Sequence, residues 1–232
     1  MTGATSTRGA RRSATAGTSR GSRGGRSAQG GASRPAMPYR AAARQLLRDT
    51  LLDAARRLLE DRPWAQITMS DVARGAGLSR QTLYKELGTR EEFAQQFVIR
   101  EGARFLEVVE GAILAHLDDP VEAVAAGLEV FLTVASEDPL VRMLLEDDGT
   151  GGMLPLITTQ SRPVLEWASD RLFQIMRSGW PVLDAVAARL LADSLVRLAL
   201  SYVTMPRRSP RESASATATL LAPYLRRAMA GA

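Results

Sequence analysis

This 232-residue chain contains no cysteine and only one histidine, His116. Without thiols it cannot form a disulfide framework, a thiolate metal site or a cysteine nucleophile. Its carboxylates show no pairing at a spacing typical of acid–base catalysis or of metal ligation, so the sequence argues against an enzyme and predicts no cofactor and no metal. His116 precedes Asp118-Asp119-Pro120 at a predicted helix end, where we expect a surface contact with the helix dipole.

Aromatic residues and long apolar runs are also scarce. Aromatics make up 5% of the sequence, and no apolar run approaches the roughly 20 residues that span a bilayer. We therefore expect a cytoplasmic protein that does not bind membranes. Hydrophobic residues still make up 45% of the chain, and the abundance of alanine, leucine and valine favours an all-α fold with a sizeable core.

Charge is distributed unevenly along the sequence. Residues 1–39 carry seven arginines and no acid, residues 40–93 carry ten cations and eight acids, and residues 94–232 carry thirteen cations and seventeen acids. The net charge of +5 therefore originates at the amino-terminal side. A basic head followed by a mildly acidic body is the polarity expected of a DNA-binding domain joined to a sensory domain.

Residues 1–38 consist mainly of glycine, serine, threonine, alanine and arginine. Such a segment buries too little apolar surface to offset the entropy of ordering, so we expect it to be disordered. An inert tail and an arm that adds contacts to DNA phosphates explain its composition equally well. An organellar transit peptide is less favoured, because the amphipathic periodicity of large apolar residues is missing.

Residues 67–93 have the pattern of a helix-turn-helix motif. Thr68 and Asp71 have the spacing of a capping box at the start of a helix. Gly75-Ala76-Gly77 permits the reversal that a left-handed helix end requires, and Ser79 is a suitable N-cap for the second helix. Leu83 and Leu87 are four residues apart and are expected to point into the core.

The polar residues of this motif have the chemistry that DNA binding requires, because hydroxyls, amides and cations hold phosphates and read base edges. We expect Arg80 and Gln81 to read bases. For Tyr84, an alternative is that the ring packs in the head and only the hydroxyl reaches the DNA backbone. The predicted phosphate contacts are Thr68, Ser79, Thr82, Tyr84, Lys85 and Arg90.

The segment resembles the TetR family of bacterial transcriptional regulators. The sequence departs from the family pattern at Leu87, where an aromatic residue is usual, and at Arg90, where a lysine is usual. The resemblance implies a DNA-binding head joined to a larger helical body that binds an effector and dimerises. The matching residues are Thr68, Asp71-Val72-Ala73, Ala76-Gly77-Leu78-Ser79 and Thr82-Leu83-Tyr84.

The expected organisation is an arm at 1–38, a helix-turn-helix domain at 39–88, and an effector-binding and dimerisation domain at 89–232. Helical periodicity predicts a first helix over 41–61, with an apolar stripe formed by Leu46, Leu47, Leu51, Ala54, Ala55, Leu58 and Leu59. Trp64 and Ile67 then anchor the following loop. Thr89 is expected to cap a long helix that joins head to body.

The body is expected to contain helices at 120–136, 139–146, 154–178 with a bend near Pro163, 183–205 and 214–230. Residues 147–152 are acidic and glycine-rich, but they lack the alternating acids and closing glutamate of a calcium-binding EF-hand, so we expect a solvated turn.

The last two helices are apolar on several faces and are therefore expected to be buried on more than one side. Small residues would allow a partner helix to approach closely: Ala187, Ala188, Ala192, Ala199 and Ser201. A TetR-like protein is expected to form a homodimer through its last two long helices in a four-helix bundle. Packing inside one subunit is the alternative.

The resemblance also implies an effector pocket in the body. Large apolar residues suggest a small apolar effector, either lipid-like or aromatic, although ordinary core packing explains each residue as well. The candidate lining residues are Phe105, Phe131, Met143, Met153, Trp167, Phe173 and Met176.

The sequence thus predicts a ligand-responsive, sequence-specific DNA-binding regulator. We expect a repressor that binds a palindromic operator as a dimer, with half-sites about one helical turn apart (roughly 34–36 Å), and that a small apolar effector releases. A ligand-independent architectural DNA-binding protein is the main alternative. A head that no longer binds DNA is a third possibility.

Overall fold

Local hydrogen bonding defines the amino-terminal helices as the sequence predicts. Thr68 accepts a hydrogen bond from the Asp71 amide, and the Asp71 carboxylate accepts one from the Thr68 amide, which completes the capping box. Gly77 has a φ of 68°, a left-handed conformation that suits glycine. Ser79 caps the next helix by accepting from the Thr82 amide at 3.0 Å.

The computed structural model describes residues 39–146 and 152–230, and all regular elements in those ranges are helices. The predicted arm at 1–38 and most of the predicted turn at 147–152 lie outside the described residues. The α-helices are α1 (Tyr39–Asp61), α2 (Met69–Gly75), α3 (Arg80–Leu87), α4 (Arg90–Leu114), α5 (Pro120–Glu137), α6 (Pro139–Glu146), α7 (Leu154–Ile157), α8 (Arg162–Gly179), α9 (Ala185–Thr204) and α10 (Pro210–Ala230).

Helices α1 to α3 and the start of α4 form the head. Trp64 lies in a 3₁₀ turn between α1 and α2, and its indole stacks on Phe93 with ring centroids 5.8 Å apart. Leu83 and Leu87 of α3 are buried against α1 and α4, as predicted. The apolar core of the head continues into the body through Leu140, Met153, Leu156 and Val164.

Helix α4 belongs to both parts, because its first turns complete the head and its remainder packs on α5 and α8. Helix α9 packs mainly on α8, and α10 packs mainly on α5. The Tyr202 and Thr217 hydroxyls lie 3.0 Å apart and join α9 to α10. The all-α fold class predicted from composition is thus confirmed.

Two predicted helix boundaries in the body were wrong. The segment predicted as one bent helix at 154–178 is two helices, α7 and α8, separated at 158–161. Pro163 lies in the first turn of α8, where its missing amide donor costs nothing, so it starts a helix instead of bending one. Helix α10 begins at Pro210, earlier than predicted, because Ser209 and Glu212 form a capping box.

Two predictions about burial also need correction. Leu46, placed on the apolar stripe of α1, is 68% exposed. Ala187, Ala188 and Ala192, assigned to close approach of a partner subunit, are buried within their own chain. Sequence periodicity identifies an apolar face of α9, but it does not indicate which neighbour covers that face.

Within the ranges that the structure describes, no helix combines the length and apolar character required to cross a membrane.

Candidate DNA-binding surface and effector cavity

Helix α3 has a polar face at the surface and a small apolar face that packs in the core of the head. Leu83 and Leu87 fix the helix in the head core. Arg80 and Tyr84, like Gln81 and Lys85, are four residues apart, so the two pairs form adjacent rows on the surface of one helix. All four side chains are exposed.

Three of these side chains are uncommitted in the described part of the chain. Arg80, Gln81 and Lys85 form no hydrogen bond or ion pair there, and the Arg80 guanidinium lies only loosely over the Tyr84 ring, 5.9 Å from its centroid. Tyr84 itself is 42% exposed, which places its ring at the surface and not in the head core. These donors can therefore contact a nucleic acid without first breaking an internal contact.

The hydroxyl groups predicted to hold phosphates already have internal partners. Ser79 Oγ and Thr82 Oγ1 lie 2.8 Å apart, so one of the two hydroxyl hydrogens remains for an external acceptor. The Thr68 hydroxyl donates to the Asp71 carboxylate at 2.7 Å. That hydrogen bond, together with a second one from the Thr68 amide, holds the pKa of Asp71 below its ordinary value.

Arg90, predicted to contact a phosphate, has internal partners in the structure. Its guanidinium donates hydrogen bonds to the carbonyl oxygens of Trp64 and Ile67 and lies over the Trp64 ring. This partial burial lowers the pKa of Arg90 from its ordinary value. Arg90 therefore fastens the loop before the helix-turn-helix motif to α4, a tertiary contact that sequence spacing does not reveal.

The body contains a cavity of about 160 Å³ bounded by α4 to α9. Among the described residues that line it, Glu101 carries the one charged side chain, and the others are almost entirely apolar. Gly102 helps to shape the wall, because a Cβ at that position would lie 3.1 Å from the Trp167 ring. The site can therefore hold an apolar molecule in contact with the helix that reaches the head.

The structure brings together only part of the predicted pocket. Phe105, Phe131, Trp167 and Met176 line the cavity, and the first two rings pack edge-to-face. The other three predicted residues lie elsewhere. Met143 and Met153 pack against the core shared with the head, and Phe173 lies under the guanidinium of Arg189 at 4.3 Å.

Sequence reasoning missed the ionic cluster around Glu101. This carboxylate, 5% exposed, contacts Arg56 of α1 and both Arg100 and Arg104 of α4. The signal was present in the sequence, because Glu101 interrupts an apolar face of α4 between Phe97 and Phe105. A charge at such a position is buried only when it is paired.

Exposed apolar residues lie on the first turns of α9 and just before it. Val186 and Leu190, four residues apart on the helix, are 77% and 54% exposed, and Val182, in the turn that precedes α9, is 55% exposed. On α10, Leu220 is also exposed. Isolated surface leucines are ordinary, but several exposed apolar residues on neighbouring turns are a feature of contact surfaces.

Known proteins provide an independent comparison. A family model described as bacterial regulatory proteins, tetR family, matches residues 51–96, and one described as bacterial tetracyclin repressor, C-terminal domain, matches residues 119–223. The HTH-type transcriptional regulator AlkX of Mycobacterium tuberculosis (strain ATCC 25618 / H37Rv) is 40% identical over 191 residues, which cover 82% of this chain and 90% of that protein. The chain belongs to the TetR family.

Solved structures agree with this assignment. The TetR family repressor AlkX from Dietzia sp. strain DQ12-45-1b, implicated in biodegradation of n-alkanes, matches with a TM-score of 0.69 and 37% identity over 78% of this chain and 96% of that chain. RolR in complex with resorcinol matches with a TM-score of 0.50 and 21% identity over 78% of this chain and 89% of that chain, a likeness of fold alone.

Membership of the TetR family confirms the resemblance found in the helix-turn-helix segment and makes the chain a DNA-binding transcriptional regulator. The tetR-family match runs from α1 into α4 and so includes the whole candidate DNA-binding surface. The second match covers α5 to α9 and most of α10. TetR-family relatives of this chain are named as regulators, in keeping with the expectation that it is not an enzyme.

Proposed function

We propose that the chain is a repressor that binds a palindromic operator as a homodimer and is released when a small apolar effector occupies the body cavity. The main support for this proposal is that an apolar cavity lies against α4, whose first turns belong to the DNA-binding head. An occupant can change DNA affinity only if it binds one arrangement of the heads better than the other.

In this proposal, Arg80 and Gln81 read base edges and Lys85 contacts a phosphate. Support comes from their exposure on adjacent rows of α3 and from the absence of internal partners in the described ranges. Tyr84 and the Ser79–Thr82 hydroxyl pair add backbone contacts, since one hydroxyl hydrogen of that pair is uncommitted. Thr68 contributes by fixing α2 in place, and Arg90 contributes only through the loop that it holds.

The proposed effector is an aliphatic molecule or another small apolar one. A cavity of about 160 Å³ with apolar walls is comparable to a protein cavity of about 150 Å³ that stays dry and binds benzene. The relative from Dietzia is implicated in biodegradation of n-alkanes, which makes n-alkanes the first compounds to test. Their only attractive contacts would be dispersion and the release of water from apolar surface.

The proposed dimer interface uses the outer faces of α9 and α10. Support comes from exposed Val186 and Leu190 on α9 and from exposed Leu220 on α10. Two copies of the head then face two half-sites on one side of the duplex, which accounts for a palindromic operator. The proposed functional division remains a head at 39–88 and a body at 89–232.

The test is selection of binding sites from random DNA by the full chain, followed by competition with a scrambled version of the selected site. The proposal predicts a palindrome with half-site centres about one helical turn apart (roughly 34–36 Å). It also predicts specific binding at least about 10³-fold tighter than binding to scrambled DNA. Equal affinity for both would support the architectural alternative, and no binding to either would support a head that has lost DNA binding.

A further inference from the structure

The charged group in the cavity wall is bound to the first helix of the head. Glu101, in α4, lines the cavity and is almost fully buried. Its carboxylate accepts a hydrogen bond from the guanidinium of Arg56 in α1. An ion pair therefore connects the effector cavity directly to α1, which packs on both α2 and α3.

The guanidinium of Arg56 also lies near a second carboxylate, that of Asp138. It lies 3.8 Å from Asp138 Oδ2, at the junction of α5 and α6. The other oxygen of Asp138 accepts hydrogen bonds from the amides of Leu140 at 2.7 Å and Val141 at 3.3 Å. Leu140 and Val141 line the same cavity as Glu101. One guanidinium thus pairs with Glu101 in the cavity lining and lies near Asp138, which binds the amides of two other lining residues.

Stability alone does not account for this arrangement. Glu101 is almost fully buried while the Arg56 side chain is 31% exposed, and the desolvation of a buried charge offsets much of the attraction in such a pair. Its strength depends steeply on distance and angle, so it is sensitive to small displacements of the walls that carry its partners. An apolar contact at this place would tolerate the same displacement with little change.

We propose that Arg56, bridging Glu101 and Asp138, couples occupation of the cavity to the position of the DNA-binding head. An occupant larger than the void of about 160 Å³ pushes α4 and the α5–α6 junction apart. Arg56 then keeps only one carboxylate, and α1 moves with the wall that retains it. Because α2 and α3 pack on α1, the recognition helix changes position. This inference rests on the proposed effector response.

Arg56, Glu101 and Asp138 are positioning residues in this scheme, since they act on the recognition helix through α1. The scheme differs from a rigid tilt of α4 alone, because it requires a specific contact that can be removed without deleting either helix. Breaking the bridge is expected to reduce the coupling between cavity and DNA while leaving the cavity and the recognition residues in place.

A matched control exists on the same two helices. Arg100 of α4 pairs with Asp53 of α1 at 2.7 Å, and neither residue lines the cavity. Asp53→Asn removes the α1 partner of Arg100 and leaves both Arg56 and Glu101 in place, whereas Glu101→Gln removes the partner of Arg56 together with that of Arg100 and Arg104. Arg56→Lys adds a variant that keeps the positive charge but lacks the planar fork that reaches both carboxylates.

Occupation of the cavity can be imitated without knowing the effector. Ala135→Leu and Ala199→Leu each add three carbon atoms at a residue that lines the cavity. Each filling variant is made alone and together with Glu101→Gln, Arg56→Lys or Asp53→Asn in the full chain. Operator affinity is measured by fluorescence anisotropy, using the selected palindrome, and thermal unfolding confirms that every variant used is folded.

Filling the cavity is expected to weaken operator binding about tenfold, within the usual range of coupling between two sites. The loss should shrink to less than about twofold with Glu101→Gln or Arg56→Lys and should persist with Asp53→Asn. An equal loss in all four backgrounds would overturn the proposal, because coupling would then bypass the bridge. Filling variants that leave operator affinity unchanged would overturn it as well.

Failure of the effector response itself gives a different pattern. If n-dodecane, delivered on a carrier, neither binds the wild-type chain nor changes its operator affinity, the proposed apolar effector class is wrong. The filling variants still report on the bridge in that case, because they need no ligand.

Discussion

The guanidinium of Arg90 lies over the indole of Trp64, 4.3 Å from the ring centroid, and donates a hydrogen bond to the Trp64 carbonyl oxygen at 2.6 Å. The indole also stacks on the ring of Phe93 at an interplanar angle of 9°. Arg90 and Phe93, both in the first turn of α4, thus hold the loop that precedes the helix-turn-helix motif. Arg90, at a position where lysine is usual in the family, therefore has a structural role in this chain.

Replacing Arg90 by alanine should therefore destabilise the head. The carbonyl oxygens of Trp64 and Ile67 would lose their donor, and the indole would lose its cation. Loss of a donor to partly buried acceptors costs about 1–3 kcal/mol, measurable by urea unfolding. Arg90→Lys should recover only part of this, since an ammonium cannot bond to both carbonyls in the same way. If stability is unchanged and binding to all DNA is weaker, the result would instead support the predicted contact of Arg90 with a phosphate.

Arg80 and Lys85 should differ in how they affect DNA binding. Arg80→Ala is expected to cost about 1–3 kcal/mol on the selected operator and much less on scrambled DNA, because a base contact distinguishes sequences. Lys85→Ala should weaken both equally and lower the salt slope by about 0.9, the contribution of one phosphate contact. Titrations at several salt concentrations separate the two effects. Equal losses for Arg80→Ala on both DNAs would make Arg80 a phosphate contact.

The capping boxes make stability depend on pH. Hydrogen bonds from Thr68 and Thr89 lower the pKa values of Asp71 and Glu92 from their ordinary values of 3.8 and 4.5. Carboxylates whose pKa values are lower in the folded state stabilise it fully above the ordinary values, and this contribution is lost as the pH falls through the folded-state values.

We therefore expect the free energy of unfolding to decrease as the pH falls below about 4.5, and Asp71→Ala and Glu92→Ala each to flatten that decrease. The measurement is urea unfolding at a series of pH values. Glu91→Gln is the control, because the Glu91 carboxylate is exposed and forms no hydrogen bond within the described ranges. If the free energy of unfolding fell as steeply with pH in Asp71→Ala and Glu92→Ala as in wild type, these two carboxylates would not be the source of the pH dependence.

The proposed dimer face can be tested with two leucines of similar exposure. Leu190 of α9 is 54% exposed and Leu114 of α4 is 47% exposed. Leu190→Glu should weaken dimerisation by at least about tenfold, because it places a charge in an apolar contact (about 1.4 kcal/mol or more). Leu114→Glu should leave dimerisation unchanged. Sedimentation over a concentration series measures both, and equal effects would remove α9 from the interface.

The parts of the structure that the sequence predicts are those determined by near neighbours in the chain. The caps at Thr68, Ser79 and Thr89 need partners only three residues away, and each one forms as predicted. The buried positions of Leu83 and Leu87 follow from helical periodicity within eight residues. Proline and serine at the starts of α8 and α10 carry equally local information, which the sequence interpretation did not use.

The remaining features depend on contacts between distant segments. Arg90 meets carbonyl oxygens 23 and 26 residues away, and Arg56 meets Glu101 at a separation of 45 residues. Only four of the seven predicted pocket residues line the cavity. Large apolar residues occur both in cavity walls and in packed cores, so the sequence does not distinguish the two environments. Helix packing decides whether a methionine lies in a cavity wall or in a packed core, and periodicity does not specify how the helices pack.

The most direct measurement is footprinting of the full chain on its selected operator while n-dodecane, delivered on a carrier, is titrated. Carrier alone serves as the control, and resorcinol provides a polar aromatic compound for comparison. The account predicts a protected palindrome that disappears as n-dodecane rises and persists with carrier or resorcinol. Protection that is unchanged at saturating n-dodecane, when binding to the chain is shown separately, would contradict release by an apolar effector.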